Sequence, residues 1–183
     1  RFVAAYDFAD PVKAVNSLAP ELRKKGAAVI IVLSHLGCAI DPATREIKGE
    51  AADLAKAVKG IDVLVTGHSH QIIAGKINGV SVVQAGHNGK AVAKVSLAYT
   101  KTEREILAVA EKVVSLNAAE LLPDPAVEKL LAQARNEAAP VKNRIVGSAA
   151  RALPHDRNKL SVLGQWVSDV MRQAAGADIA FQN

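Results

Sequence analysis

Three histidines carry the chemistry visible in this sequence. His35 closes the run Ile30-Ile-Val-Leu-Ser-His-Leu-Gly37, and His68 and His70 close Gly60-Ile-Asp-Val-Leu-Val-Thr-Gly-His-Ser-His70. Both runs are apolar, rich in β-branched residues and of strand length, and both stop at histidine beside glycine. Val29 to Leu33 and Ile61 to Val65 suit strands buried on both faces, as in a sheet covered by helices. Where such strands end the chain turns, and polar side chains converge on a ligand at the edge of the sheet. Imidazoles at adjacent strand ends form a donor set for a transition metal. A lone histidine after an apolar strand is most often a satisfied polar group. Two strand-end signals of one design, with a helix-like segment between them, favour a shared site.

The elements that would position these residues can be read around them. Asp10 and Pro11 are an N-cap and a first helical residue, and Val12, Val15, Leu18 and Leu22 give one apolar face. That helix should end at Gly26, with a break or second start at Pro20. The basic Arg23-Lys24-Lys25 cluster complements the helix dipole. Gly37 to Lys48, with Asp41-Pro42, reads as a loop beside the site, and Glu50 to Lys59 as a short helix. Asp62 reads as a polar residue at the entrance of its strand. Ile72–Ile77, Val80–Gln84 and Val92–Ala98 read as strands punctuated by Asn78-Gly79 and Asn88-Gly89, which adds antiparallel strands to the sheet. His87 falls in the Gly86–Gly89 turn and reads first as a turn residue, second as a neighbour of the site. Residues 100–105 are a polar turn, and Ile106 to Leu116 a further strand. Pro123-Asp-Pro125 starts a helix reaching about Lys142. A strand at Ile145, an amphipathic helix from Arg157 to Ala175 and a strand from Ala177 complete the pattern. Trp166 is expected in the core of that last part.

The 183 residues are half apolar but hold only six aromatics, so the core must be built from Ala, Val, Leu and Ile. A net charge of +5 comes from basic residues scattered through helical segments, and no basic stripe is interleaved with aromatics; specific nucleic-acid binding is not expected. The single cysteine, Cys38, excludes an internal disulfide framework and is expected as a small buried side chain. No run approaches the roughly 18 apolar residues of a membrane span. Arg1-Phe-Val-Ala-Ala is not a natural start, and the sequence reads as an internal piece of something longer.

Leu33-Ser-His-Leu-Gly37 followed by Gly60-Ile-Asp-Val-Leu-Val-Thr-Gly-His-Ser-His70 resembles the second half of a calcineurin-type metallophosphoesterase domain, nearest to the bacterial 5′-nucleotidase and 2′,3′-cyclic phosphodiesterase group. Val83-Gln-Ala-Gly-His-Asn-Gly89 also resembles the segment that follows Gly-His-x-His in that group. The resemblance implies that His35 and His68 serve one divalent ion and His70 its neighbour, the ions being zinc, manganese or iron. It implies an α/β fold with a mixed sheet flanked by helices (1–116), a helical connector (117–143) and the beginning of a second α/β domain (144–183). The helix pattern Leu163-Gly-x-x-Val-x-Asp169 resembles the opening of the family's C-terminal domain, with Leu160 and Gln165 departing from it. The substrate implied is a nucleotide or another phosphoester, and the implied location is the periplasm or outside the cell.

In such a site two ions roughly 3.5–4 Å apart activate a water and hold both reacting oxygens. The resemblance also implies motifs of the types Asp-x-His, Gly-Asp and Gly-Asn-His upstream of His35, and none is present. Asp7, Asp10, Asp41 and Asp62 do not replace them. The expectation is therefore a nucleotide phosphomonoesterase whose histidine half lies here, the segment being inactive alone and no catalytic residue falling within it. The alternatives are a 2′,3′-cyclic phosphodiesterase or sulfur-ester hydrolase of the same fold, and a binding module that kept the fold without catalysis.

Overall fold

Asp10 starts the first helix by accepting the backbone N–H groups of Val12 (2.8 Å) and Lys13 (3.2 Å), with Pro11 in the first position of α1 (Pro11–Lys24). The structure is a computed structural model that describes residues 6–103, 105–156 and 158–182. Contrary to the expected break, α1 runs through Pro20. Tertiary fastening outweighs the lost hydrogen bond: Ala19 is buried, and the Asn16 side chain donates to the Ala57 carbonyl and accepts from the Lys59 N–H. At its end Ala27 N–H reaches back across Gly26 to the Leu22 carbonyl (3.0 Å), which closes the helix.

Arg23 does more than complement a dipole. Its guanidinium donates to the carbonyls of Ala27, Ala28 and Gly60 and pairs with Asp62 at 2.7 Å, while Asp62 also accepts the Ile30 N–H. One side chain thus ties the end of α1 to the entrances of two strands. We expect Arg23→Ala to cost about 2 kcal/mol in urea unfolding, because a half-buried carboxylate loses its charged donor; a cost below ~0.5 kcal/mol would show that solvent replaces the guanidinium.

Three short parallel strands follow the expected runs. β1 (Ile31–Leu33) leads to a hairpin of two short strands, β2 (Ala39–Ile40) with β3 (Ile47–Lys48), and then to α2 (Glu50–Ala57). β4 (Val63–Val65) returns beside β1, so the first four-stranded sheet contains a right-sized crossover with a helix in it. β5 (Ile72–Ile77) and β6 (Val80–Ala85) form a hairpin about Asn78-Gly79, both residues at positive φ (48° and 81°) as its tight turn requires. The sheet order is β1-β4-β6-β5, with β5 the antiparallel member. The sheet is mixed and the fold α/β, as expected.

Within the region read as a loop, Asp41 accepts the N–H groups of Ala43 and Thr44 and pairs with Lys48 at 2.7 Å. The Lys48 ammonium, then the Thr44 and Ala43 amides, hold its carboxyl below the ordinary value of 3.8. Because the folded-state value is depressed, this hairpin interaction is present above the ordinary value and is lost as pH falls through the depressed one. Lys48→Met should move the Asp41 titration midpoint upward in carboxyl ¹³C NMR; an unmoved midpoint would remove Lys48 as the cause.

β7 (Ala91–Thr100) and β8 (Glu105–Ser115) do not extend this sheet, as the Asn88-Gly89 signal had implied, but pair with each other in a separate two-stranded one. Lys76 Nζ reaches the Val109 carbonyl (2.8 Å) and Ser81 Oγ the Glu111 carboxylate (2.9 Å), fastening β8 to the β5–β6 hairpin. The core between sheet and helices is aliphatic, with Leu64, Ile73 and Val82 at its centre against Ala51, Leu54 and Ala55 of α2. β1 departs from the reading of a strand buried on both faces: Ile31 and Leu33 are 53% and 79% exposed. It is the sheet's edge, and among the described residues only its Val32 side packs on the core.

The chain divides into two compact units, Arg1–Leu122 and Pro123–Asn183. In the second, α3 (Pro125–Lys142) is capped by Asp124, and α4 (Val162–Ala175) by Ser161 at one end and Gly176, at φ 60°, at the other. The expected helix start at Arg157 and the residue Asn183 lie outside the described residues. No strand forms over 145–149 or 177–181, because nothing described in this unit lies beside either segment as a ladder partner. Trp166 is 57% exposed, not in a core.

Candidate metal centre

Parallel register is what brings the histidines together. Leu33 is level with Val65, and Val65 with Val83, so the three strands end at one edge of the sheet. The ladder runs one step further: Ser34 N–H donates to the Val65 carbonyl and Thr66 N–H to the Val83 carbonyl, both at 2.9 Å. His35, Gly67-His68-Ser69-His70 and Gly86-His87 then leave these ends in turns.

The outcome is two imidazole pairs. His35 and His68 meet edge to face with ring centroids 5.3 Å apart, and His70 stacks on His87 at 4.7 Å. The rings of His35, His68 and His70 sit on exposed residues, open to a ligand, whereas His87 is half-buried. By its stacking His87 is a neighbour of His70, and the positive φ values in its turn belong to Gly86, Asn88 and Gly89. Gly67 lets the two turns approach closely: a Cβ there would lie 3.2 Å from His35 Nδ1, and the His35 ring would have to give by a few tenths of an ångström. His68 and His70 both adopt left-handed backbone, φ 64° and 57°. Outside glycine that conformation costs of order 1 kcal/mol or more per residue and must be imposed by the surroundings. Arg45, Asn78 and Asn88 share this conformation, but only at His68 and His70 does it fall within a cluster of exposed imidazoles.

Beneath the turn lies a polar network that the sequence reading missed. Gln84 on β6 is 1% exposed, and its Nε2 lies 3.0 Å from Ser69 Oγ and 3.4 Å from Cys38 Sγ. Ser69 Oγ donates to the Cys38 carbonyl (2.5 Å) and accepts the Cys38 N–H (3.2 Å), and Thr66 Oγ1 lies 3.4 Å from Cys38 Sγ. Cys38 is buried as expected. The available signal was Gln84 itself, the one amide in the otherwise apolar run Val82-Val83-Gln84-Ala85.

As a metal site the donor set is half complete. Paired, open imidazoles fit the nitrogen side of a transition-metal centre. Among the described residues, however, no group of three or more His, Cys, Asp or Glu side chains is placed to hold an ion. Among the described residues, no group holding both these imidazoles and a carboxylate able to offset the repulsion of two adjacent cations is placed at the cluster.

No family model matches the chain. It is 34% identical over 180 residues to Endonuclease YhcR of Bacillus subtilis, spanning 97% of this chain and 15% of that protein. It is 27% identical over 199 residues to Cell wall protein Lmo0130 of Listeria monocytogenes, spanning 96% of this chain and 25% of that one. A 5′-nucleotidase precursor from Thermus thermophilus superposes with a TM-score of 0.67 at 25% identity, covering 92% of this chain and 36% of that structure. The chain thus spans well under half of each of these proteins. Over that part of their length, it is a partial match to proteins of the 5′-nucleotidase/2′,3′-cyclic phosphodiesterase family, and its fold is similar to that of a calcineurin-like phosphoesterase.

Proposed function

We propose that the protein carrying this chain is a metal-dependent phosphoesterase acting on nucleotide phosphomonoesters, and that the chain supplies the histidine half of a two-ion site. The observation that carries the reading is the His35–His68 ring pair, 5.3 Å apart at parallel strand ends, with His70 two residues on. His35 and His68 would hold one divalent ion and His70 the other; zinc, manganese and iron all suit imidazole with carboxylate. Such ions, when bound, lower the pKa of a water and neutralise charge on the phosphoryl oxygens. The chain's own part is to present the imidazoles and to hold His68 and His70 on left-handed backbone above the buried network. No residue here serves as the acid or as the bridging carboxylate, so the chain by itself is inactive in this reading.

Residues 1–116 form the C-terminal half of the metal domain in this proposal, 117–143 the connector and 144–183 the opening of a second domain. Location in the periplasm or outside the cell is part of the same reading; it draws on the relative named a cell wall protein. No described helix is long and apolar enough to cross a membrane.

The test is phosphate release from 5′-AMP in excess Mn²⁺, by this chain and by the whole protein. Release by the whole protein alone supports the proposal, and release by the chain alone contradicts the missing-carboxylate argument. A second reading, hydrolysis of phosphodiesters, is favoured by the identity to a protein named an endonuclease. A whole protein that cleaves bis(p-nitrophenyl) phosphate but spares 5′-AMP would establish that reading instead.

A further inference from the structure

We propose that Gln84 is a positioning residue for the histidine cluster, acting through Ser69. The inference rests on the metal-site reading above, but its geometric core stands independently. Gln84 lies on β6, whereas the residues it touches lie in the turns after β1 and β4. Its amide is therefore one fixed point shared by all three strand ends.

Ser69 is the link. It sits between His68 and His70, the two residues with left-handed backbone. Its one hydroxyl proton is shared between the Cys38 carbonyl and Gln84 Oε1 (3.1 Å), and its lone pairs accept the Cys38 N–H and Gln84 Nε2, so both ends of the amide meet the serine. The serine thus grips both backbone groups of Cys38, three residues beyond His35. Rotation of the 67–70 turn would break these bonds at once and bury unpaired polar atoms, which is costly in a low-dielectric interior. Among the described residues every buried side-chain nitrogen and oxygen has a partner. His35 and His68 are consequently held at one separation by a residue that touches neither ring. A glutamine serves where a hydrophobe would pack as well, because the cluster needs a directional donor at that point.

The experiment uses this chain and two variants, Gln84→Met, which keeps length and packing but removes the donor, and Ser69→Ala. Circular dichroism and melting report folding. The nuclear Overhauser effect between the His35 and His68 rings reports their distance without metal. Calorimetric titration with Zn²⁺ reports the use of that distance. For a folded variant we expect the ring-to-ring effect to weaken at least two-fold and Zn²⁺ affinity to fall about ten-fold or more, the usual consequence of losing support behind metal ligands. A folded variant with lower melting temperature but an unchanged ring-to-ring effect would make Gln84 merely structural and overturn the proposal. If the unaltered chain takes up no Zn²⁺, the titration is made on the whole protein, whose failure to bind would remove the metal-site reading, and the ring-to-ring effect still decides the positioning role. Should Gln84→Met fail to fold, Ser69→Ala, which deletes one oxygen, carries the same two readouts.

Discussion

His68→Ala in the whole protein is expected to lower Mn²⁺-dependent phosphate release from 5′-AMP at least about 100-fold, since loss of support behind metal ligands already costs 10–100-fold and loss of a ligand removes more. His68 belongs to the ring pair with His35 and shares its turn with His70. Removing its imidazole deletes a nitrogen donor and leaves the residue at φ 64°. Alanine at that position keeps much of the backbone cost, so stability should change little while activity collapses. The variant is informative because these effects separate: calorimetry should show a melting temperature within a few degrees of the parent. Activity within ten-fold of the parent would remove His68 from the site and with it the proposed pairing.

Leu64→Ala is expected to cost about 3–4 kcal/mol of unfolding free energy in unit 1. Leu64 is 0% exposed at the middle of β4, which has strands on both sides, and it packs against the aliphatic core. The aliphatic surroundings that must collapse into the void are held by the α2 alanines on one side and the β5–β6 hairpin on the other, leaving little freedom to relax. Urea unfolding followed by circular dichroism would measure it. A loss under ~1.5 kcal/mol would mean that the core repacks and that β4 is not the keystone of the sheet.

These two residues also mark what was legible in the sequence. The β-branched runs ending at His35 and His68 marked two strands, which the structure pairs in parallel register, but the expected burial on both faces fails for β1, the exposed edge of the sheet. Asp10-Pro11 and Asn78-Gly79 were equally readable, since capping and a tight hairpin turn are local chemistry. What could not be read was anything that depends on a distant partner. Pro20 signals a break until Asn16 is seen fastened to the end of α2. Val92–Ala98 looks like a strand of the first sheet until its partner proves to be β8. Gln84 reads as an ordinary strand residue, and only the fold reveals the serine and cysteine waiting beneath it. Ile145 and Ala177 begin runs with strand composition, but a strand exists only against a neighbour.

The register that aligns Leu33, Val65 and Val83 has a kinetic consequence. Hairpins such as β5–β6 close over two residues, whereas joining β1 to β4 requires closing the whole loop that holds β2, β3 and α2. Non-local pairings of this kind carry the entropy of loop closure before they return any stabilisation, and they set the folding rate. The contact between the His35 and His68 rings should therefore be among the last events of folding. In a stopped-flow experiment the ability to bind Zn²⁺ should rise with the slowest phase, after hairpin circular dichroism has already recovered.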